Sequence, residues 1–278
     1  MLEEITIKIW DEFNDKIKYI KNKYGFTPAG DYQNEHLVFY RGLADGKYKL
    51  STTLERYSPN NPWSVCEYAG FLQRCSSEIE SFTKFNWNLP NDKEWKTEYN
   101  KVFTTRHPES IIKIPFLEFW IYMRHNGFPS PLLDWSASPY VAAFFAFEEQ
   151  KEADCVAIYA YIEPLPNPGI ELDNSPSSRP QIRIIGGPDT RTHERHYLQQ
   201  AWYTLAYIYD SLEKEHVIYD YEHFFREDGS DNFVKIIIPR SQRIPALTYL
   251  YEHNINHFSL MHSEESLLKS LAFKHRKE

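Results

Sequence analysis

The sequence predicts an α+β fold: a single mixed domain with a small central β-sheet flanked by helices. Two kinds of segment carry this expectation. Residues 3–23, 64–87 and 111–124 place apolar groups at helical spacing, whereas the compact apolar runs 36–43, 155–162 and 233–239 have strand length. The order matters as well, because these strands do not alternate with helices in a regular βαβ rhythm, which argues against a doubly wound parallel sheet. No internal repeat or low-complexity tract appears, so residues 1–278 are expected to form one domain, with 1–30 as an N-terminal helical extension.

Composition supports a folded chain and narrows its partners. A length of 278 residues suits one large domain or two small ones, and 42% apolar content with 16% aromatics can build a sizeable core. Twenty Tyr and seven Trp supply rings with a polar handle, the kind that lines ligand surfaces, though an AT-biased genome would also enrich them. The formal charge of −8 disfavours gripping a nucleic-acid backbone along its length; a local basic pocket and a basic partner both stay open. Cys66, Cys75 and Cys155 fit neither a disulfide framework nor a zinc spacing, and so point to reduced thiols in a cytoplasm. The acidic opening Met1-Leu-Glu-Glu-Ile is unlike a signal peptide, and no apolar run reaches the ~18 residues a membrane span needs. A soluble cytoplasmic protein is expected, with no membrane partner.

Taken in order, Ile5, Ile7, Ile9, Trp10, Phe13, Ile17 and Ile20 predict an amphipathic helix over 3–23, with Lys21 and Lys23 favourable near its C-terminus. A Gly/Pro/Asp loop (25–32) leads to the strand His36–Leu43, which ends in Arg41-Gly42. An arginine at the end of a buried strand can hold phosphate or carboxylate through two parallel bonds, or can simply pair with a surface carboxylate. Gly42 permits close backbone approach or an unusual turn. The hydroxyls of Ser51, Thr52 and Thr53 are placed to cap a helix starting at Leu54. A long helix over 64–87 follows, then a polar loop with a short helix over 88–110, then a helix over 111–124 with Gly127 as its C-cap.

The densest stretch runs from His125 to Phe147. Ser136 or Ser138 is a fitting N-cap, Pro139 a fitting N1 residue, and Ala142, Ala143 and Ala146 are small enough for the helix to pack closely on a sheet. A buried strand over 155–162, a Pro-rich exposed loop over 164–188, and a polar segment running into an aromatic strand up to Leu205 come next. Residues 233–239 give the clearest strand signal, and helices are expected over 244–252 and 263–274. The chain lacks a Gly-x-Gly-x-x-Gly or Gly-Lys-Ser/Thr loop and a Ser-nucleophile elbow. His193, Glu194 and His196 lack the i, i+4 partner of a helical metal site, so no metal is expected. Asp134 caps a turn or serves a ligand, Trp135 fills the core or faces a pocket, and His125 answers a helix dipole or a ligand.

Three separated pieces resemble the FRG domain family. They are Phe39-Tyr40-Arg41-Gly42; the block His125-x-Gly127-x-Pro129-x-x-Leu132-Leu-Asp-Trp-Ser136-x-Ser138-Pro139 with Ala142-Ala143-x-Phe145-Ala146; and the segments Arg195–Gln200, Tyr203-Thr204 and Ile255–Leu260. The resemblance spans roughly residues 36 to 272, and the chain departs from the pattern at Ser130, Pro131 and Trp202. The layout in turn is similar to that of ADP-ribosyltransferases. It implies an ADP-ribosyltransferase-like fold and an NAD-dependent transferase, acting as a bacterial toxin or antiphage effector with RNA among its substrates and an antitoxin or chaperone as partner.

Cleaving the nicotinamide–ribose bond passes through an oxocarbenium-like state, so its needs parallel those of a glycosidase. Arg41 would grip the diphosphate. Tyr40, Gly42, His125, Trp135, Tyr140 and Tyr203 would line the NAD site, and Asp134 and Gln200 would steady the ribose, with Glu194 next. Glu213-Lys-Glu215 has the Glu-x-Glu spacing of many such enzymes, in a charged region where the pair also arises by chance. The rival expectation is a nucleotide- or nucleic-acid-sensing module that binds without turnover; RNA binding by aromatic stacking is a third.

Overall fold

The strand with the clearest sequence signal lies inside the sheet. β9 (Phe233–Pro239) pairs antiparallel with β5 (Cys155–Pro164), and β5 pairs antiparallel with β2 (His36–Leu43). The computed structural model describes residues 2–24, 36–89, 94, 97–99, 111–112, 114–164, 180–185, 194–221, 223–224 and 232–276. The loop expected over 25–32 and most of those over 88–110 and 164–188 lie outside the described residues, as does His193.

Among the described residues the remaining strands are β1 (Glu3–Thr6), β3 (Ile111–Ile112), β4 (Leu133–Ser136), β6 (Gln181–Ile185), β7 (Ala201–Asp210) and β8 (Glu215–Ile218). The order is β1-β9-β5-β2-β4-β7-β6-β3, with β8 on β7. Among the described residues only the β1–β9 and β3–β6 pairs are parallel. The mixed α+β class holds, with a nine-stranded sheet where a small one was expected.

The helices are α1 (Phe13–Lys23), α2 (Thr53–Tyr57), α3 (Val65–Thr83), α4 (Leu117–His125), α5 (Pro139–Glu148), α6 (Glu194–Leu198), α7 (Arg243–Glu252), α8 (His257–Met261) and α9 (Glu264–Lys274). Their starts follow local chemistry. Thr52 and Ser64 close capping boxes with Glu55 and Glu67, and Ser138 caps α5 with Pro139 at N1. Gly127 follows α4 at φ +85°, a left-handed conformation suited to glycine.

Two helical expectations shift. Residues 3–6 form a strand because the Ile5-Thr6-Ile7 run is β-branched and β9 offers it an edge, with Ile5 opposite Ile236. The helix expected from Ile111 starts only at Leu117. Ile111 and Ile112 pair with Ile184 and Ile185, and the pre-proline restriction at Ile114 keeps that residue out of a helix.

The sheet is covered on both faces. Val156, Ile158, Ala160, Val234, Ile236 and Ile238 meet α1, α5 and α7, whereas Ala157, Tyr159, Tyr161 and Phe233 turn to a second cluster with Phe39 and Trp135. A third cluster joins α3 and α4 to Tyr203, Leu205 and Tyr207 of β7. Helix α5 lies closest. A Cβ on Gly42 would stand 1.9 Å from the Ala142 carbonyl oxygen and 2.7 Å from the Ala146 nitrogen. Gly42 is therefore needed where helix meets strand, and the small residues of α5 answer it from the other side.

Candidate functional site

β2 and β4 pair at a single position, Tyr40 opposite Ser136. Beyond it, toward Gly42 and Asp134, the strands have no further register pair, and a cleft of about 350 Å³ opens there. Its size falls in the ~300–1,000 Å³ range of small-molecule sites. Tyr40, Arg41 and Gly42 of β2 and Asp134, Trp135 and Ser136 of β4 form its two sides; His125, Tyr203, Phe145, Arg195, Gln199 and Met261 contribute the rest of its named polar and apolar surface.

Two arginines meet at one carboxylate. Arg41 Nη1 donates to the Asp134 carbonyl oxygen at 2.6 Å and stands 3.7 Å from Asp134 Oδ2. Arg124, at the end of α4, grips the same carboxylate in a fork, Nε on Oδ1 at 2.5 Å and Nη2 on Oδ2. Its Nη1 donates to Thr53 Oγ1 at 3.2 Å, tying the fork to α2.

The electrostatics follow from this crowding. Burial pulls the Arg41 guanidinium down to about 10, with Asp134 opposing and the Arg124 and Arg56 charges adding to the shift; it is still a cation at neutral pH. For Asp134, burial pushes upward, but the charge and hydrogen bonds of Arg124, then the charge of Arg41, outweigh it and hold the carboxyl at about 2. Two fixed cations against one carboxylate leave a net positive centre, which attracts an anion. One buried atom of this centre, Arg41 Nε, lacks a hydrogen-bond partner; the other unpartnered buried atom on β2, Tyr40 Oη, belongs to the layer of α1 and α5. An unmet polar group in the interior costs about 1–3 kcal/mol, so Arg41 Nε calls for a partner that a ligand can supply.

Tyr203 is fully buried, and its hydroxyl lies 3.0 Å from His125 Nε2 and 3.3 Å from His196 Nδ1. Burial raises this phenol well above its ordinary value, so it stays protonated. Trp135 is buried and donates from Nε1 to Thr204 Oγ1 at 2.8 Å, which in turn meets the Tyr221 hydroxyl at 2.6 Å. Ser136 Oγ donates to the Gln199 carbonyl at 2.8 Å and accepts from the Ser138 amide at 3.0 Å, which fixes the turn into α5.

Tyr40, Arg41, Gly42, His125, Asp134, Trp135 and Tyr203 are thus brought together as the sequence suggested. Two expected residues sit elsewhere. Gln200 occupies a left-handed turn at φ 48° with an exposed side chain, and only its carbonyl, accepting from Ala137 at 3.0 Å, supports the site. Tyr140 points to the opposite layer, where its hydroxyl donates to Asn14 and its ring lies against Phe13 and Tyr249. Glu194 is exposed and bonds His262, and Glu215 pairs with Asp210 in the β7–β8 hairpin, outside the cleft lining.

The sequence reading missed Arg124, Gln199 and Met261. Arg124 carried a usable signal: an arginine in the last turn of a mostly apolar helix needs a carboxylate if that helix is buried, and in the structure it is 9% exposed. Gln199 and Met261 carried none. Gln199 Nε2 donates to the Leu260 carbonyl at 3.1 Å and contacts Met261 Sδ, a contact made only when α8 comes to rest beside α6.

Residues 36–155 match the family model of the FRG domain, a span that holds both sides of the cleft and Arg124. No curated protein and no solved structure matches the chain. No helix among the described residues is long and apolar enough to cross a membrane.

Proposed function

We propose that the cleft binds NAD and supports ADP-ribosyl transfer. The observation that carries the proposal is Arg41, a buried cation at the parting of β2 and β4 whose Nε has no hydrogen-bond partner. A guanidinium of this kind suits a diphosphate, whose oxygens it meets in pairs. Phe145, partly exposed at the cleft, offers a ring surface for a base or a nicotinamide. In the reaction the bond between ribose C1′ and the nicotinamide nitrogen breaks and nicotinamide leaves with the electron pair. An acceptor oxygen bonds to C1′ and its proton passes to solvent. Gln199, which lines the cleft where Gln200 does not, would meet a ribose hydroxyl through its Oε1, since its Nε2 is bonded to the Leu260 carbonyl. RNA is the proposed acceptor class, and a toxin or antiphage role the proposed setting, on the likeness of the FRG layout to such enzymes.

A second reading has its own support. Asp134 is the one carboxylate among the described lining residues, and the Arg124 fork already neutralises it. A cleft without an uncommitted negative charge holds a nucleotide well but stabilises a developing cation poorly. Labelled NAD incubated with the protein and total RNA separates the two. Nicotinamide release with label transfer, lost in Arg41→Ala, supports transfer. NAD binding that Arg41→Ala weakens at least tenfold, without turnover on any acceptor pool, supports the sensing module. No NAD binding at all overturns the transfer reading and any sensing of NAD.

A further inference from the structure

A second, larger cavity of about 690 Å³ lies on the other side of α2, between the segment 58–63 and the β7–β8 hairpin. Its floor is tied down, since the Ile218 amide donates to the Trp63 carbonyl at 2.8 Å and Ser64 bridges to Val217. Its walls are apolar and aromatic: Leu54, Trp63, Ile208, Tyr209, Val217 and Tyr219. Glu55, Asp210 and Asp220 add three carboxylates, and no Lys or Arg is among the described lining residues.

Two buried side-chain atoms of residues that line the cavity have no hydrogen-bond partner. Glu55 Oε2 accepts from the Thr52 amide at 3.0 Å in the capping box, while Glu55 Oε1 is left over; the second atom is the Trp63 indole Nε1. One is an acceptor in want of a donor, the other a donor in want of an acceptor. We propose that this cavity docks a basic peptide segment, with a lysine or arginine side chain donating to Glu55 Oε1 and a peptide carbonyl accepting from Trp63 Nε1. The apolar walls suit the alkyl stem of such a side chain, and the carboxylates suit its charge. Burial raises the Glu55 carboxyl to about 7, with Asp220 adding to the shift and the Thr52 hydrogen bonds opposing, so a cation seated there would relieve an unfavourable charge. A free polyamine fits less well, because a protonated amine offers no acceptor to the indole.

The seven tryptophans give indole N–H signals by NMR, and Trp63→Phe identifies the one from Trp63. An uncharged-capped peptide of the pattern Ala-Lys-Ala-Arg-Ala is expected to shift that signal on titration. Glu55→Gln, which preserves the cap, is expected to weaken the binding roughly fivefold to tenfold, the scale of one charge-assisted hydrogen bond. Asp220→Asn serves as a second variant should Glu55→Gln lower stability, and is expected to weaken binding in the same direction. Arg41→Ala leaves the titration unchanged, so this inference and the NAD reading stand or fall separately. The proposal is overturned if the basic peptide leaves the Trp63 signal unmoved, if an aspartate peptide moves it equally, or if both carboxylate variants bind as before. It is also overturned as a peptide site if spermidine shifts the indole as strongly as the peptide does.

Discussion

The two halves of the sheet differ in what their strands are made of. From β1 through β9 and β5 to β2 the ladder is continuous, and the inward residues are mostly aliphatic, as Val156, Ile158, Ala160, Ile236 and Ile238. From β4 through β7 to β6 the strands carry groups with polar ends: Asp134, Ser136, Tyr203, Thr204, Tyr207 and Arg183. One register pair, Tyr40 with Ser136, joins the halves. The aliphatic half supplies the scaffold and Arg41, the polar half supplies Asp134 and most other polar groups, and the cleft lies where they part. A sheet broken at its centre gives up ladder hydrogen bonds; here the side chain of Arg41 crosses from β2 to Asp134 of β4, and Arg124 of α4 holds that carboxylate in place.

The largest expected effect tests the scaffold half. Gly42→Ala puts a methyl into the backbone of α5, where neither side is a flexible side chain that can yield. A loss of about 3 kcal/mol in urea unfolding is expected, the upper range for overpacking. Gly127→Ala is the comparison. It meets nothing within 4 Å but sits at φ +85°, so it carries only backbone strain of about 1 kcal/mol. Equal effects from the two would mean that α5 is not held against β2 as described.

Next in size is the ion pair beside the seam. Arg124→Met leaves the Asp134 carboxylate without its fork; with Asp134 37% exposed, solvent recovers part of the loss, and a cost of about 2 kcal/mol is expected rather than the larger figure for a fully buried pair. The pH dependence carries the sign. The folded-state pKa of Asp134 is depressed from 3.8 to about 2, so its contribution is present above 3.8 and is lost as pH falls through 2. In Arg124→Met that loss begins at higher pH, and in Asp134→Asn it is absent. Urea midpoints followed from pH 7 to 2 measure this; an acid limb identical in all three proteins would show that the pair contributes nothing.

The same contrast explains what the sequence disclosed. β2, β5 and β9 are short aliphatic runs, and their strand period is plain in isolation. β6 was hidden, because Gln181-Ile-Arg-Ile-Ile sits in a Pro-rich region and its polar residues find partners only in β7, Arg183 Nε on the Tyr207 hydroxyl. α8 was missed because five residues are too few to show a period. For the site, the special residues of one strand end and one strand-turn-helix were legible as types. Which way each pointed was not. Tyr140 and Phe145 sit on one helix, and only the packing of α1 and α7 decides that Tyr140 faces away from the cleft. Gln199 and Gln200 are neighbours, and a left-handed turn decides between them.

The smallest expected effect compares two phenols on one strand of the polar half. Tyr203 reaches His125 and His196 at the cleft, and Tyr207 reaches Arg183 and Gln181 away from it. Removing either hydroxyl should cost about 1 kcal/mol, the usual scale for one hydrogen-bonding group. Stability alone therefore does not tell them apart. NAD binding does: Tyr203→Phe is expected to weaken it severalfold because His125 loses a contact that orients it at the cleft, whereas Tyr207→Phe binds as the parent does. If both variants bind equally, the His125–Tyr203 contact holds the strand alone, and the ligand site is confined to Arg41 and the seam.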